Sequence, residues 1–463
     1  MRRSPDSPPD GAARADTDLP PAGAAPSPPE TEAAPSPMPA IAGLWLGRAR
    51  RWWGILAAFF TAQALVQAAA FASGLLLVRG LAVDDYAFYT LATSAFTFLA
   101  FASNLGATSA FAWFFRESKG DAVARARHDR AVVEVRRRLF FGAAPIAVGI
   151  LLATALGRGF GGTAIAVAAV LVAATAWVAI DGVAAVQILR LNDRYAASYR
   201  AEVAAALARL ALIAALVALG FASALTALAA ALAGQLAMVA LAHGARARRV
   251  AGPALAPERR AVFRFLAPTL PAEVYAAFQG PLLIWLAALL GSTRGVAEIG
   301  ALGRLGQLMA LLSTLAGVVF LPRLSRIADD RLYRQRFFAF AAFLAAIAGA
   351  TVGAAWIVRG PLLALLGPGY VGLERELLLT VGAAAVYVPA SFAIWVNAAR
   401  SWKRWQVHLT VALILFQVGW IVLSPLESTA DFLRFGLANA VVVLVLQLGN
   451  ALVGLFRPRA VAW

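Results

Sequence analysis

The chain contains no cysteine, so it can hold no disulfide, no thiolate metal site and no cysteine nucleophile. Its three histidines, His128, His243 and His408, stand apart with no ligand spacing around them, which argues against a histidine metal centre. No cofactor is expected. Charged residues are scarce at 14%, against about a quarter in soluble domains. Acidic residues are scarcer still, with 24 Asp and Glu against 41 Lys and Arg and a net charge of +17. Apolar residues take their place, at 61% of 463. That balance excludes a water-soluble enzyme. At roughly 20 apolar residues per bilayer crossing, the chain accommodates about a dozen spans joined by short loops. In a soluble protein such positive charge would suggest nucleic acid. Here basic residues punctuate apolar runs, so the charge reads as topology and as contact with anionic membrane lipids, and no nucleic acid is expected.

Residues 1–50 read as a disordered Pro/Ala-rich cytoplasmic tail. Eleven of the 23 prolines fall in the first 40 residues, a composition that buries too little apolar surface to offset chain entropy. Met1-Arg2-Arg3 precedes no apolar stretch that would make a signal peptide. Beyond the tail, apolar runs predict helices at about 54–78, 86–115, 139–157, 163–189, 201–219, 223–243, 265–290, 296–321, 337–358, 373–398, 406–423 and 432–456. Twelve spans place both termini on one side. The loops on that side hold twenty-five Lys and Arg, against four on the other, so the positive-inside rule makes both termini cytoplasmic.

A weak internal repeat accompanies this pattern. At an offset of 210, Val186-Gln187, Arg190, Arg194 and Tyr195 fall on Val396-Asn397, Arg400, Arg404 and Trp405; at 213, Asp85-Tyr86-Ala87 falls on Glu298-Ile299-Gly300. The expected fold is an all-α membrane protein of about twelve transmembrane helices in two six-helix lobes, residues 51–250 and 251–463. Such lobes are parallel pseudo-repeats, as in transporters with a site between the halves.

Local patterns add a family resemblance. Gly74-Leu-Leu-Leu-Val-Arg79-Gly-Leu-Ala-Val-Asp-Asp-Tyr86-Ala-Phe-Tyr89, followed by Ser103-Asn104-Leu105-Gly106-Ala107-Thr108-Ser109-Ala110, resembles the opening of bacterial polysaccharide exporters of the O-antigen flippase type. These belong to the multidrug/oligosaccharidyl-lipid/polysaccharide superfamily. Ile299-Gly300 through Arg304, then Leu321-Pro322-Arg323-Leu324-Ser325-Arg326, is similar to that family's eighth span and the basic turn after it, and Leu365-Leu366-Gly367-Pro368-Gly369-Tyr370 to the turn before its tenth. The sequence departs from the pattern at Ala87, where the family usually has glycine. The resemblance covers residue 53 to the end. It implies twelve to fourteen helices in two lobes and translocation of a polyprenyl-diphosphate-linked oligosaccharide between leaflets of the bacterial inner membrane, for surface or exopolysaccharide synthesis. It also implies a polysaccharide polymerase or glycosyltransferases as protein partners.

Four arginines interrupt helices: Arg209, Arg304, Arg375 and Arg434. A buried charge in a membrane usually faces a wet cavity or a partner. Arg209, about nine residues into its span, and Arg304, at similar depth from the opposite side, are the candidates for binding a diphosphate, for which guanidinium supplies a planar fork of donors. Glu202, seven residues before Arg209, is its candidate neutralising partner. Arg375 and Arg434 lie near a helix end and are expected to snorkel. Arg79 closes the first span as an anchor or a gating residue that meets substrate. Glu273, after Pro268 and Pro271, and Asp181 are the candidate ion-coupling acids. Broken helices often frame such sites, and the resemblance adds an acidic residue on the seventh span. Each acid also reads as the partner of an arginine. Trp177, Tyr275, Trp285 and Trp395 are candidates for stacking on sugars.

Two alternatives remain. A cation-coupled small-molecule exporter on the same scaffold would need a mainly acidic, aromatic cavity. A membrane glycosyltransferase would use Asp84 and Asp85 as base or metal ligand. Against the enzyme, the outer loops are too short to build a sugar-binding active site, and acids at the start of a span also suit the helix dipole. Gly157-Arg-Gly159-Phe-Gly-Gly162 follows no strand and is no dinucleotide fingerprint.

Overall fold

The computed structural model describes residues 60–118, 120–245, 255–307, 309, 312–313, 320–327, 329–400, 402 and 405–456. The expected tail, residues 1–50, lies outside them. Among the described residues every regular element is a helix, and ten helices are long and apolar enough to cross a membrane. The first half of the chain gives α1 (Phe60–Gly80), α2 (Val83–Ala102), α3 (Ala107–Glu117), α4 (Ala122–Leu156), α5 (Gly162–Leu191), α6 (Tyr195–Ala218) and α7 (Ala224–Gly244). The second half gives α8 (Ala256–Leu266), α9 (Leu270–Gln279), α10 (Leu282–Leu290), α11 (Thr293–Gly306), α12 (Leu321–Ser325), α13 (Asp330–Ile357), α14 (Arg359–Leu366), α15 (Glu374–Ala399), α16 (Gln406–Leu423) and α17 (Thr429–Phe456).

α2 and α3 together make one span, and α9 with α10 make an eleventh, bent by 50°. α11 opens the expected span 296–321, most of whose remainder lies outside the described residues. The two halves repeat one another. Their spans begin at Phe60 and Leu270, Val83 and Thr293, Ala122 and Asp330, Gly162 and Glu374, Tyr195 and Gln406, and Ala224 and Thr429, so the spacing seen in a few side chains holds for the elements.

Several boundaries differ from the sequence reading, each for a local reason. α4 starts at Ala122 rather than near 139, because Asp121 caps it: the carboxylate accepts from the N–H groups of Val123 at 2.8 Å and Ala124 at 3.1 Å. Those bonds hold the Asp121 carboxyl below its ordinary range. Hydropathy detects only the apolar part of this 35-residue helix. The seventh span, read as one helix over 265–290, comes in three pieces. It breaks at Ala267-Pro268-Thr269 and at Gly280-Pro281, where proline lacks the N–H a continuous helix needs. Between α2 and α3 the chain turns through Leu105 and Gly106, both at positive φ (37° and 80°). The Asn104 side chain caps α3 by accepting from the Thr108 N–H at 3.1 Å.

The largest core cluster joins both halves at the end opposite the basic loops, hereafter the outer end. It includes Leu77, Tyr86 and Phe88 with Val296, Tyr370 and Phe432. Toward the basic end the clusters are smaller. One holds α3, α4 and α8 together around Phe111, Phe114 and Val262, and another lies in the second half around Phe337, Phe392 and Val396.

Candidate functional site

Two arginine-bearing helices, one from each half, face a common space. α6 begins at Tyr195, six residues earlier than expected, so Arg209 lies fourteen residues in, about 21 Å along the axis. α11 begins at Thr293 and places Arg304 eleven residues in, about 16 Å. Both line a cavity of about 520 Å³, walled by α1, α2, α5, α6 and α7 of the first half and by α11 and the α9–α10 bend of the second. This volume is within the usual range of small-molecule pockets, roughly 300–1,000 Å³.

The arginines meet at Tyr89 of α2. Arg209 Nη2 donates to the Tyr89 hydroxyl at 2.9 Å, and the Arg304 guanidinium stands 5.9 Å from the centre of the Tyr89 ring. The first is a charged hydrogen bond and the second a cation–π contact. Arg304 Nε also makes a long contact, 3.4 Å, with the hydroxyl of Tyr86. Both tyrosines are fully buried, with ring centroids 6.1 Å apart. Gly74 of α1 makes room for Arg304: a Cβ there would stand 2.8 Å from Arg304 Cδ. Gly234 of α7 does the same for Arg209, 3.2 Å from its Cβ.

The ion pairs among the described residues leave these two cations aside. They include Arg137–Asp181 at 2.9 Å, Arg190–Glu202 at 2.6 Å, Arg259–Glu134 at 3.2 Å, Arg294–Glu298 at 2.9 Å and Arg434–Asp431 at 2.7 Å. Glu202 lines the cavity but takes Arg190. The expected neutralisation of Arg209 by Glu202 is therefore replaced by a tyrosine, because Arg190 at the end of α5 reaches the carboxylate first. Among the described residues the cavity carries an excess of positive charge.

The other candidates are placed elsewhere. Asp181 accepts from Arg137 Nη2 through both carboxylate oxygens and does not line the cavity. Glu273 sits in the first turn of α9, its Oε1 3.4 Å from where a Cβ on Gly106 would stand. Arg79 donates to the Ala364 carbonyl of α14 at 2.7 Å, joining the halves at the outer end. Arg158, between α4 and α5, does likewise on the carbonyl of Ala288 at the end of α10, 2.8 Å from Nε. Arg434 pairs with Asp431, and Arg375 is exposed. Asp84 and Asp85 lie exposed in the first turn of α2.

None of the four aromatics expected to stack on sugars lines the cavity. Trp285 is buried against Phe98 and Phe278 and donates to Ser94, Trp177 packs on Phe140 and Phe141, and Trp395 is half exposed. Packing claims the rings of Trp177 and Trp285 first. The sequence reading missed Tyr89 and the row Thr90, Thr93 and Thr97 on the cavity wall. Three hydroxyls at spacings of three and four on an apolar helix were the available signal.

Two repeated helical halves with a cavity between them define the class: the fold of a helical membrane transporter. Solved structures share it. The inward-facing conformation of a multidrug resistance MATE family transporter of the MOP superfamily matches with a TM-score of 0.60 and 15% identity, over 83% of this chain and 93% of that one. The lipid II flippase MurJ in an inward closed conformation matches at 0.63 and 12% identity, over 84% and 87%. An outward-facing conformation of a MATE family transporter of the same superfamily matches at 0.52 and 15% identity, over 86% and 93%. These relatives are transporters rather than enzymes, and at such identities the likeness is one of fold. No protein-family profile matches the sequence, and no curated protein matches it.

Proposed function

We propose that the protein is a flippase that carries a polyprenyl-diphosphate-linked oligosaccharide across the bacterial inner membrane by alternating access. The observation behind this reading is the meeting of Arg209 and Arg304, from opposite halves, on one cavity without a carboxylate neutralising either among the described residues. Two guanidiniums in a secluded site suit a doubly anionic headgroup and repel the cations a multidrug exporter would take. The diphosphate draws the arginines off Tyr89, the sugars occupy the cavity, and the polyprenyl chain stays in lipid. Because each cation belongs to a different half, binding ties the halves together before they rock. The ions paired elsewhere do not supply direction; a gradient or consumption of the product must. Complementation of a strain lacking its polysaccharide flippase tests this. Arg209→Ala with Arg304→Ala should abolish surface polysaccharide at normal expression, and retained polysaccharide would overturn the anion site. Loss with Asp84→Ala and Asp85→Ala instead would favour the enzyme alternative.

A further inference from the structure

The polar wall of the cavity has a chemical bias that the two arginines do not explain. Six serine and threonine hydroxyls line it: Ser73, Thr90, Thr93, Ser94, Thr97 and Thr175. Each has one proton to donate, and each gives it to a carbonyl of its own helix. Ser73 donates to Ala69 at 2.7 Å, Thr90 to Tyr86 at 2.8 Å, Thr93 to Thr90 at 3.0 Å, Ser94 to Leu91 at 2.7 Å, Thr97 to Thr93 at 2.9 Å and Thr175 to Leu171 at 2.6 Å. What they keep for a ligand is lone pairs, except at Ser94, whose oxygen already accepts from Trp285 at 2.9 Å. On the facing wall Gln235 of α7 adds another acceptor. Its Oε1 is buried and has no hydrogen-bond partner, which is costly unless a ligand supplies a donor.

Gln235 lies eleven residues into α7 and Thr93 ten into α2, about 15–17 Å from their outer ends, the depth of Arg304. The cavity thus pairs cations that grip an anion with an array of acceptors at a similar level that needs N–H and O–H groups. A bare polyprenyl diphosphate offers the anion and none of the donors. A sugar attached to that diphosphate offers both.

We propose that the cavity reads the sugar adjacent to the diphosphate through an acceptor wall made by Thr93 and Thr97 of α2 and Gln235 of α7, and so distinguishes the glycan-loaded lipid from the unloaded carrier. This rests on the diphosphate reading of Arg209 and Arg304. It assigns the substrate class as a diphosphate lipid whose first sugar is rich in hydrogen-bond donors, such as hydroxyls or an acetamido N–H.

The test compares three probes on the purified full-length protein in lipid nanodiscs: polyprenyl diphosphate, the same lipid bearing N-acetylglucosamine, and the same lipid bearing galactose. At least one sugar-bearing lipid should bind about tenfold more tightly than the bare diphosphate, as a few added hydrogen bonds allow. Thr93→Val with Thr97→Val, which keeps the branched shape, and separately Gln235→Leu, should each reduce that preference to about threefold or less without weakening the bare lipid. Arg209→Ala should weaken all three lipids alike. Equal affinity for bare and loaded lipids, or a preference that survives both sets of variants, overturns the acceptor wall while leaving the diphosphate reading intact. Failure of Arg209→Ala to weaken any lipid overturns the diphosphate reading itself. No binding of any lipid overturns both.

Discussion

Arg304 is held in place by what its neighbours lack. Gly74 has no side chain where the arginine's Cδ and Nε pass, so an added methyl must displace the guanidinium from the Tyr86 hydroxyl and the Tyr89 ring. Gly74→Ala should therefore weaken transport without weakening the fold, since alanine is the better helix former by about 1 kcal/mol. A charged contact is worth about 1.5–3 kcal/mol, so the affinity for a diphosphate lipid should drop roughly tenfold in a binding assay while expression and melting temperature hold. An unchanged affinity would show that Arg304 is not the gripping group. At this scale the sequence was half legible. Arginine in an apolar run is conspicuous because it is costly, so Arg209 and Arg304 stood out. Tyr89 did not, because an aromatic in a membrane helix is ordinary until its hydroxyl is seen to meet a cation.

Single helices were more legible than their ends. Apolar length fixed α16 at 406–423 to the residue, but it could not see α4 extending seventeen residues below its apolar stretch, where a cap and alternating charges carry the helix on. That extension has a consequence for Asp181. Arg137 on α4 meets the Asp181 carboxylate of α5, while the buried Arg136 donates to the Ile180 carbonyl at 3.3 Å. Removing the carboxylate leaves two adjacent cations without their acid. With the pair's side chains 39% and 28% exposed, solvent screening limits the effect to about 1 kcal/mol. Asp181→Asn should lower the melting temperature of the purified protein by about 2 °C, and adding Arg137→Gln should recover most of the loss. Transport with its proton or sodium dependence erased, at unaltered stability, would instead assign Asp181 to coupling.

The whole molecule shows why a few matching side chains were enough to reveal a repeat. Alanine-rich helices blur the alignment, but each span must still cross the same bilayer, so the starts of the elements keep step where the letters do not. The join between the halves was not legible, because Arg79 and Arg158 bind main-chain carbonyls, which no sequence pattern marks. Arg158→Ala should loosen the outer end. In a chain without native cysteine, Leu81→Cys provides a single reporter in the outer cluster. Its labelling by a membrane-impermeant maleimide should quicken several-fold in the Arg158→Ala background, and an equal rate would mean that the apolar cluster alone keeps that end shut.

The acceptors at those two bridges are peptide oxygens. Arginine stays protonated under any physiological condition, and an amide carbonyl takes up no proton there, so acidifying either compartment leaves both bridges as strong as before. Opening of the outer mouth should accordingly proceed at one rate across about pH 5 to 8, and whatever pH dependence turnover displays must originate with a carboxylate or with the cargo.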